Sequence, residues 1–306
     1  MLNVFLSLGV IAGIGSVLRY IFPDIDIESF RRSINKLVLY IILPSLIFNI
    51  VYNAKIGAEF FQIPFAAIGG ISAALSLAAF LFAFIKIDKK TKGALILASA
   101  FSNVTYLGLP VLQGIFSDIP EKIAVVSVLY EVSTTPFLLT IGASIALYYG
   151  NKTNLTFKDM AKRVFQLPPL WALAISILFN ILNIPLPDFI LQTTKLLAAT
   201  TSGLMILSLG MALKFKKLHN IKNIVIAGLI QLFFIPIVVY FVCRLLGMQQ
   251  PFFEASVIEA AMPTQLLTLV IADEFDLDTE SLAMTIFVLT VSSVLTIPFI
   301  RYLLFS

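Results

Sequence analysis

The chain has 306 residues, of which 59% are hydrophobic and 12% charged, with a formal net charge of +4. A soluble domain carries about 25% charged residues, so a soluble enzyme, a disordered linker and a disulfide scaffold are excluded. One cysteine (Cys243) and one histidine (His219) leave no material for an internal disulfide or a histidine metal site.

A membrane-crossing helix needs about 20 apolar residues. Ten such runs are predicted, at 2–22, 34–54, 62–86, 93–116, 122–149, 165–183, 189–213, 222–246, 252–273 and 281–305. They lack the ~10-residue alternation of a membrane β-barrel, so the predicted fold class is an all-α membrane protein of ten transmembrane helices. The first run has no basic segment before it and no small-residue cleavage site, and is read as a retained span. It contains Gly9 and Gly13, a spacing suited to close helix contact. Span two carries Pro44, Ser45 and Asn49. Lys89-Lys90-Thr91-Lys92-Gly93 separates the third and fourth spans. Span four meets Ser102-Asn103 at its middle, with Gly108 and Pro110 beyond. Span five holds Glu131 beside Ser133, Thr134 and Thr135. Gly247-Met248-Gln249-Gln250-Pro251 precedes span nine, where Glu259 lies one turn before Pro263. Span ten carries Thr290, Ser292 and Ser293, residues that commonly join helices within a membrane.

The charges sort by side. Sixteen of the 21 Lys and Arg residues flank odd-numbered loops, and only Lys55, Lys122, Lys195, Arg244 and Arg301 fall on the other side. Basic loops stay in the cytoplasm, so both termini are predicted outside and the central loop inside. The acidic ninth loop, Asp273 to Glu280, also falls inside, where acidic residues weigh little. The pI near 9.1 thus records topology and not a nucleic-acid partner. Formal glycosylation sequons at Asn151 and Asn154 fall in the predicted cytoplasmic loop and carry no expectation.

The most polar connection, 150–163, divides the chain into a first five-helix repeat (1–149) and a second (164–306). Five is odd, so the second repeat enters the membrane inverted, an architecture of secondary transporters. Spans four and nine are both interrupted mid-span, and a proline removes a hydrogen bond that lipid cannot replace. Two interrupted helices crossing at mid-membrane would aim two helix starts, each worth about half a positive charge, at one point suited to a carboxylate. A plain proline kink is the alternative for either span alone. Glu131 and Glu259 are the acidic residues well inside spans, and carboxylates at that depth are functional candidates. Glu259 could hold a coupling cation with freed carbonyls, accept a proton, or be bonded to a neighbouring helix.

The segment Asn103-Val104-Thr105-Tyr106-Leu107-Gly108-Leu109-Pro110, together with Ala261-Met262-Pro263-Thr264, resembles the auxin efflux carrier family. That family includes plant carriers and bacterial and archaeal malate or malonate permease-like proteins. The resemblance covers the whole chain and implies a fold similar to the sodium/bile acid symporters. Spans one, two, six and seven would form a scaffold domain that dimerises. The other six would form a transport domain with spans four and nine crossing at the substrate site. It implies substrate contacts from Ser102, Asn103, Thr105, Pro263 and Thr264, to which Asn49 is added as a polar group beside a mid-span proline. It implies ion coupling at Glu259, with Gln265 beside it and Glu131 as a further acidic group, and Na⁺ near Glu259 as the one metal expected. Ser102 stands where plant members usually have proline, which predicts a less sharp break in span four. The short central loop lacks the long phosphorylated segment of some plant carriers, so auxin transport is not implied.

The function expected is secondary transport of small organic anions across the cell membrane by an elevator-type cycle, coupled to Na⁺ or H⁺ or to neither. No other cofactor is expected; the partners are the anion, the lipid bilayer and a second copy through the scaffold helices. A membrane sensor or receptor on the same fold is the alternative. The chain has no HExxH motif, no Cys–His pair for an enzyme, and no P-loop for a primary pump.

Overall fold

In a computed structural model of the chain the described residues are 2–150, 162, 165–212 and 221–305. Apart from Gly150 and Lys162, the central linker with Asn151 and Asn154 lies outside them, as does the basic loop with Lys214, Lys216, Lys217 and His219. The helices are α1 (Leu2–Ile21), α2 (Ile27–Tyr52), α3 (Glu59–Phe84), α4 (Lys89–Ala98), α5 (Val104–Ile115) and α6 (Pro120–Tyr149). They continue as α7 (Pro168–Ile181), α8 (Asp188–Met211), α9 (Ile221–Leu245), α10 (Phe252–Ala260), α11 (Leu267–Glu274) and α12 (Thr279–Phe305). Six of them, α2, α3, α6, α8, α9 and α12, are long and apolar enough to cross a membrane. The Asp26 carboxylate starts α2 by accepting from the backbone of Glu28 and Ser29, and Asp88 starts α4 by accepting from Thr91.

Proline shapes the helices in a regular way. π-Helical turns occur at Val38–Ile42, Val104–Gly108 and Ile230–Phe234, and each is followed by a proline, at Pro44, Pro110 and Pro236. A helical proline clashes with the carbonyl four residues earlier. Those residues are Tyr40, Tyr106 and Leu232, the midpoints of the three turns. The helix widens where the clash falls. A fourth such turn, Leu138–Gly142, follows Pro136 and does not fit this pattern.

The chain forms two compact units. The first comprises Met1–Gly57, Thr105–Val128 and Phe165–Leu213. In it α1 packs on α8, and α2 packs on both α7 and α8. The α1–α8 contact brings backbones together: a Cβ at Gly15 would lie 2.2 Å from the Leu207 carbonyl oxygen, and one at Gly210 would lie 2.0 Å from that of Ala12. Gly210→Ala is therefore expected to force the helices apart and cost about 1–3 kcal/mol. Gly203 has open space at its Cβ position, so Gly203→Ala should leave the thermal unfolding midpoint of detergent-purified protein unchanged or raise it. The Asn180 amide nitrogen donates to the carbonyls of Val51, Tyr52 and Ala54 and so closes the end of α2.

The second unit comprises Ala58–Val104, Leu129–Val164 and Lys214–Ser306. In it α3 packs on α9, α10 on α9, and α12 on α4. Arg301 bridges Glu254 at 2.6 Å and ties the end of α12 to the start of α10. Each unit draws on both halves of the sequence. The resemblance placed all of spans four and five together; the structure groups 105–128 with the first unit, where Leu109–Ile115 packs on α1.

Large apolar side chains such as Phe61, Tyr20, Leu245 and Leu295 are exposed, while Ser99, Thr135, Ser256 and Thr268 are buried. That is the reverse of a soluble protein and suits a bilayer as solvent.

Candidate functional site

Two helices stop in mid-course within the second unit. α4 ends at Ala98, and Ser99 to Asn103 are not α-helical. α10 ends at Ala260, and the chain resumes helix at Leu267. The two breaks are of similar length, so span four is as fully interrupted as span nine although Ser102 replaces the proline of plant members. What stands in for the proline is pairing between the breaks. Ser102 and Thr264 form an antiparallel β-bridge. The Asn103 N–H donates to the Pro263 carbonyl and the Gln265 N–H to the Phe101 carbonyl, both at 2.7 Å. Each break supplies the hydrogen bonds that the other lost, as backbone inside lipid requires.

Side chains complete the pairing. Thr264 Oγ1 donates to the Ala98 carbonyl at 2.5 Å, and Ser102 Oγ to the Ala260 carbonyl at 3.2 Å. Each hydroxyl thus serves a carbonyl at the end of the other interrupted helix. From the π-helical turn of α9, Gln231 Nε2 reaches Ser102 Oγ and the Met262 carbonyl, both at 2.8 Å.

Beside the crossing lie two buried carboxylates. Glu131 and Glu259 are the only charged side chains that are buried among the described residues. Thr135 Oγ1 donates to Glu131 Oε1 at 2.5 Å. Gln265 Nε2 lies 3.4 Å from both Glu131 Oε1 and Thr135 Oγ1. Tyr130 donates its hydroxyl proton to the Ser256 carbonyl of α10. The buried oxygens Asn103 Oδ1, Gln231 Oε1 and Gln265 Oε1 have no hydrogen-bond donor.

The sequence-predicted residues Ser102, Asn103, Pro263, Thr264, Gln265, Glu131 and Glu259 all belong to this unit. Thr105, at the start of α5, and Asn49 belong to the first. Asn49 Nδ2 donates to Thr194 Oγ1 there and joins α2 to α8. Gln231 was not singled out by the sequence reading. The signal was present: a lone amide within an apolar run, five residues before a proline.

One end of the unit is held by charges. Lys90 pairs with Asp276 at 2.6 Å, and Thr91 Oγ1 donates to Asp278 at 2.6 Å. The acidic ninth loop thus binds the basic start of α4. Burial pushes the Asp278 carboxyl up, but hydrogen bonds from the Ser281 side chain and backbone, the Thr91 side chain and the Glu280 backbone outweigh it, so the pKa is below its ordinary value. A lowered folded pKa stabilises above the unfolded value and is lost as pH falls through the folded one. The difference in unfolding midpoint between the wild type and Asp278→Asn should be flat from about pH 5 upward and narrow below about pH 4.

The family described as membrane transport protein matches residues 4–301. A relative from Methanothermobacter thermautotrophicus, described as an uncharacterized transporter, is 28% identical over 275 residues, covering 89% of this chain and 88% of its own. An uncharacterized transporter of Methanocaldococcus jannaschii is 28% identical over 289 residues, covering 91% of each chain. One from Escherichia coli K12 is 21% identical over 281 residues, covering 89% of this chain and 88% of its own. These relatives are named as transporters and not as enzymes.

Proposed function

The chain belongs to the membrane transport protein family, and from that premise we propose that it is a secondary transporter of small organic anions, carboxylates above all. It is an integral membrane transporter; the substrate class, mechanism and coupling are our reading. The observation that carries the reading is the crossing itself, where two interrupted helices join at the Ser102–Thr264 bridge beside two buried carboxylates. Interrupted, crossing helices with polar groups at membrane depth are the architecture by which secondary transporters hold substrate and coupling ion. α5 and α11 both start from the breaks, and a helix start carries about half a positive charge. Asn103 and Pro263 are the substrate contacts we propose; the Thr264 hydroxyl is already bonded to the Ala98 carbonyl.

Coupling follows from charge. Glu131 and Glu259 are both buried. Carboxylates at membrane depth are candidates for ion coupling, and Na⁺ or H⁺ is the ion we assign to them, with Gln265 completing the ion site. Ten spans in an inverted five-plus-five repeat, termini outside, an elevator-type cycle and a homodimer complete the proposal.

Purified protein in sealed liposomes should accumulate one or more labelled mono- or dicarboxylates under an imposed Na⁺ or H⁺ gradient. Absence of uptake across a broad carboxylate panel, in vesicles that hold their gradients, would refute the substrate class.

A further inference from the structure

Gln231 is fully buried and carries an amide whose two ends are in different situations. Its nitrogen faces the Met262 carbonyl, which can only accept, so the orientation of the amide is fixed by its neighbours. The same nitrogen donates to Ser102 Oγ, and the Ser102 hydroxyl in turn donates a hydrogen bond to the Ala260 carbonyl. The Ser102 hydroxyl therefore has its donor committed within the protein. One side chain from α9 is tied to both breaks, at Ser102 and at Met262. Its oxygen, Oε1, is buried and has no donor. Asn103 Oδ1 and Gln265 Oε1, on residues flanking the bridge in the two strands, are in the same condition.

These three oxygens are all acceptors. A buried acceptor without a donor is costly and is seldom left so. A bare carboxylate brings only more acceptors, so it would not satisfy them. What satisfies them is an electropositive group, such as a metal ion or the hydrogen of a hydroxyl.

We propose that Gln231 is a ligand-reading residue of the crossing, whose nitrogen fixes Ser102 and the Met262 carbonyl and whose Oε1 accepts an electropositive group of the bound species. This rests on the transport reading above and extends it: the site selects carboxylates that carry a hydroxyl, or carboxylates bound together with a metal cation, over bare ones. Gln231→Met keeps the length and volume of the side chain and removes both functions; Gln231→Glu keeps an acceptor and removes the nitrogen.

The test uses purified full-length protein, thermal-shift titration and competition against liposome uptake. The probes are NaCl against choline chloride, and the matched acids malate and succinate, lactate and propionate, which differ by one hydroxyl. The wild type should favour the hydroxylated acid, respond to Na⁺, or both. Gln231→Met should collapse that preference, on the order of 10- to 100-fold, with the affinity for the bare acid kept. That result assigns Oε1 to a substrate hydroxyl. If instead the half-saturating Na⁺ rises by a similar factor while the acid preference holds, the oxygen reads the cation. Should Gln231→Met fail to fold, Gln231→Glu gives the second reading: it keeps an acceptor, so sensitivity to the electropositive group should persist with altered strength. Gln231→Met matching the wild type in both titrations overturns the inference alone, as does Gln231→Glu where it is the variant that folds. A wild type that responds to none of the probes overturns the transport reading and this inference with it.

Discussion

Glu259→Gln is expected to abolish the dependence of transport on Na⁺ or pH while the protein still folds. Glu259 is fully buried in the last turn of α10, two residues before the break begins. An ionised carboxylate at mid-bilayer costs at least about 2.5–3.5 kcal/mol, and in the proposed transport reading a bound metal ion or proton offsets that cost. Glutamine keeps the shape of the side chain and removes the charge, so the variant has no need of that counter-charge. The half-saturating Na⁺ concentration, or the amplitude of the pH response, should change by more than tenfold, which is at least about 1.4 kcal/mol. Glu131→Gln should act more weakly. Thr135 and Gln265 already place donors on Glu131, and hydrogen bonds to a charged group contribute about 1.5–3 kcal/mol each. Uptake by Glu259→Gln that keeps the Na⁺ and pH responses of the wild type, in protein that elutes as a single folded species, assigns the coupling elsewhere.

The helices and the interruptions were legible in the sequence because the membrane imposes strong rules. Apolar length marks the helices, and a mid-span proline or amide marks a place where the backbone needs help. Glu131, Glu259, Asn103 and Pro263 were found by those rules alone. What the sequence does not carry is partnership. Ser102 reads as a weak substitute for proline, yet it takes part in a β-bridge and serves a carbonyl of α10. Thr264 reads as a substrate contact, and its hydroxyl is bonded to the Ala98 carbonyl. Asn49 reads the same way and ties α2 to α8. In each case a polar residue at membrane depth was visible, but whether its atoms were committed depended on a residue more than a hundred positions away. Gln231 was passed over for the same reason. Its run looks like any apolar span, and its role follows from Ser102 and Met262, which no local pattern connects to it.

That difference between committed and uncommitted atoms predicts that two neighbours across the bridge will respond in opposite ways. Asn103 holds its place through its backbone N–H, which an alanine retains, while its Oδ1 is buried without a donor. Deleting a side chain whose oxygen has no protein partner removes little stabilisation, and it can even relieve a desolvation cost. Asn103→Ala should therefore keep the unfolding midpoint of the empty protein within a few degrees. It should also weaken binding of a hydroxylated carboxylate or of Na⁺ by more than about tenfold, because the lost oxygen is an acceptor that takes its donor or cation from the ligand. Thr264→Val is nearly isosteric and does the reverse. It deprives the Ala98 carbonyl of the hydroxyl that satisfies it at the end of α4, inside a region where water cannot substitute. The expected cost is about 1–3 kcal/mol of stability, and a folded fraction that does bind should bind with affinity close to that of the wild type. Thermal unfolding without ligand, measured beside a ligand titration on the same preparations, separates the two effects. Equal loss of stability and binding in both variants would mean that the crossing is a structural joint and that the ligand is held elsewhere. Loss of binding in Asn103→Ala alone, with loss of stability in Thr264→Val alone, divides the bridge into an atom that holds the fold and an atom that waits for the substrate.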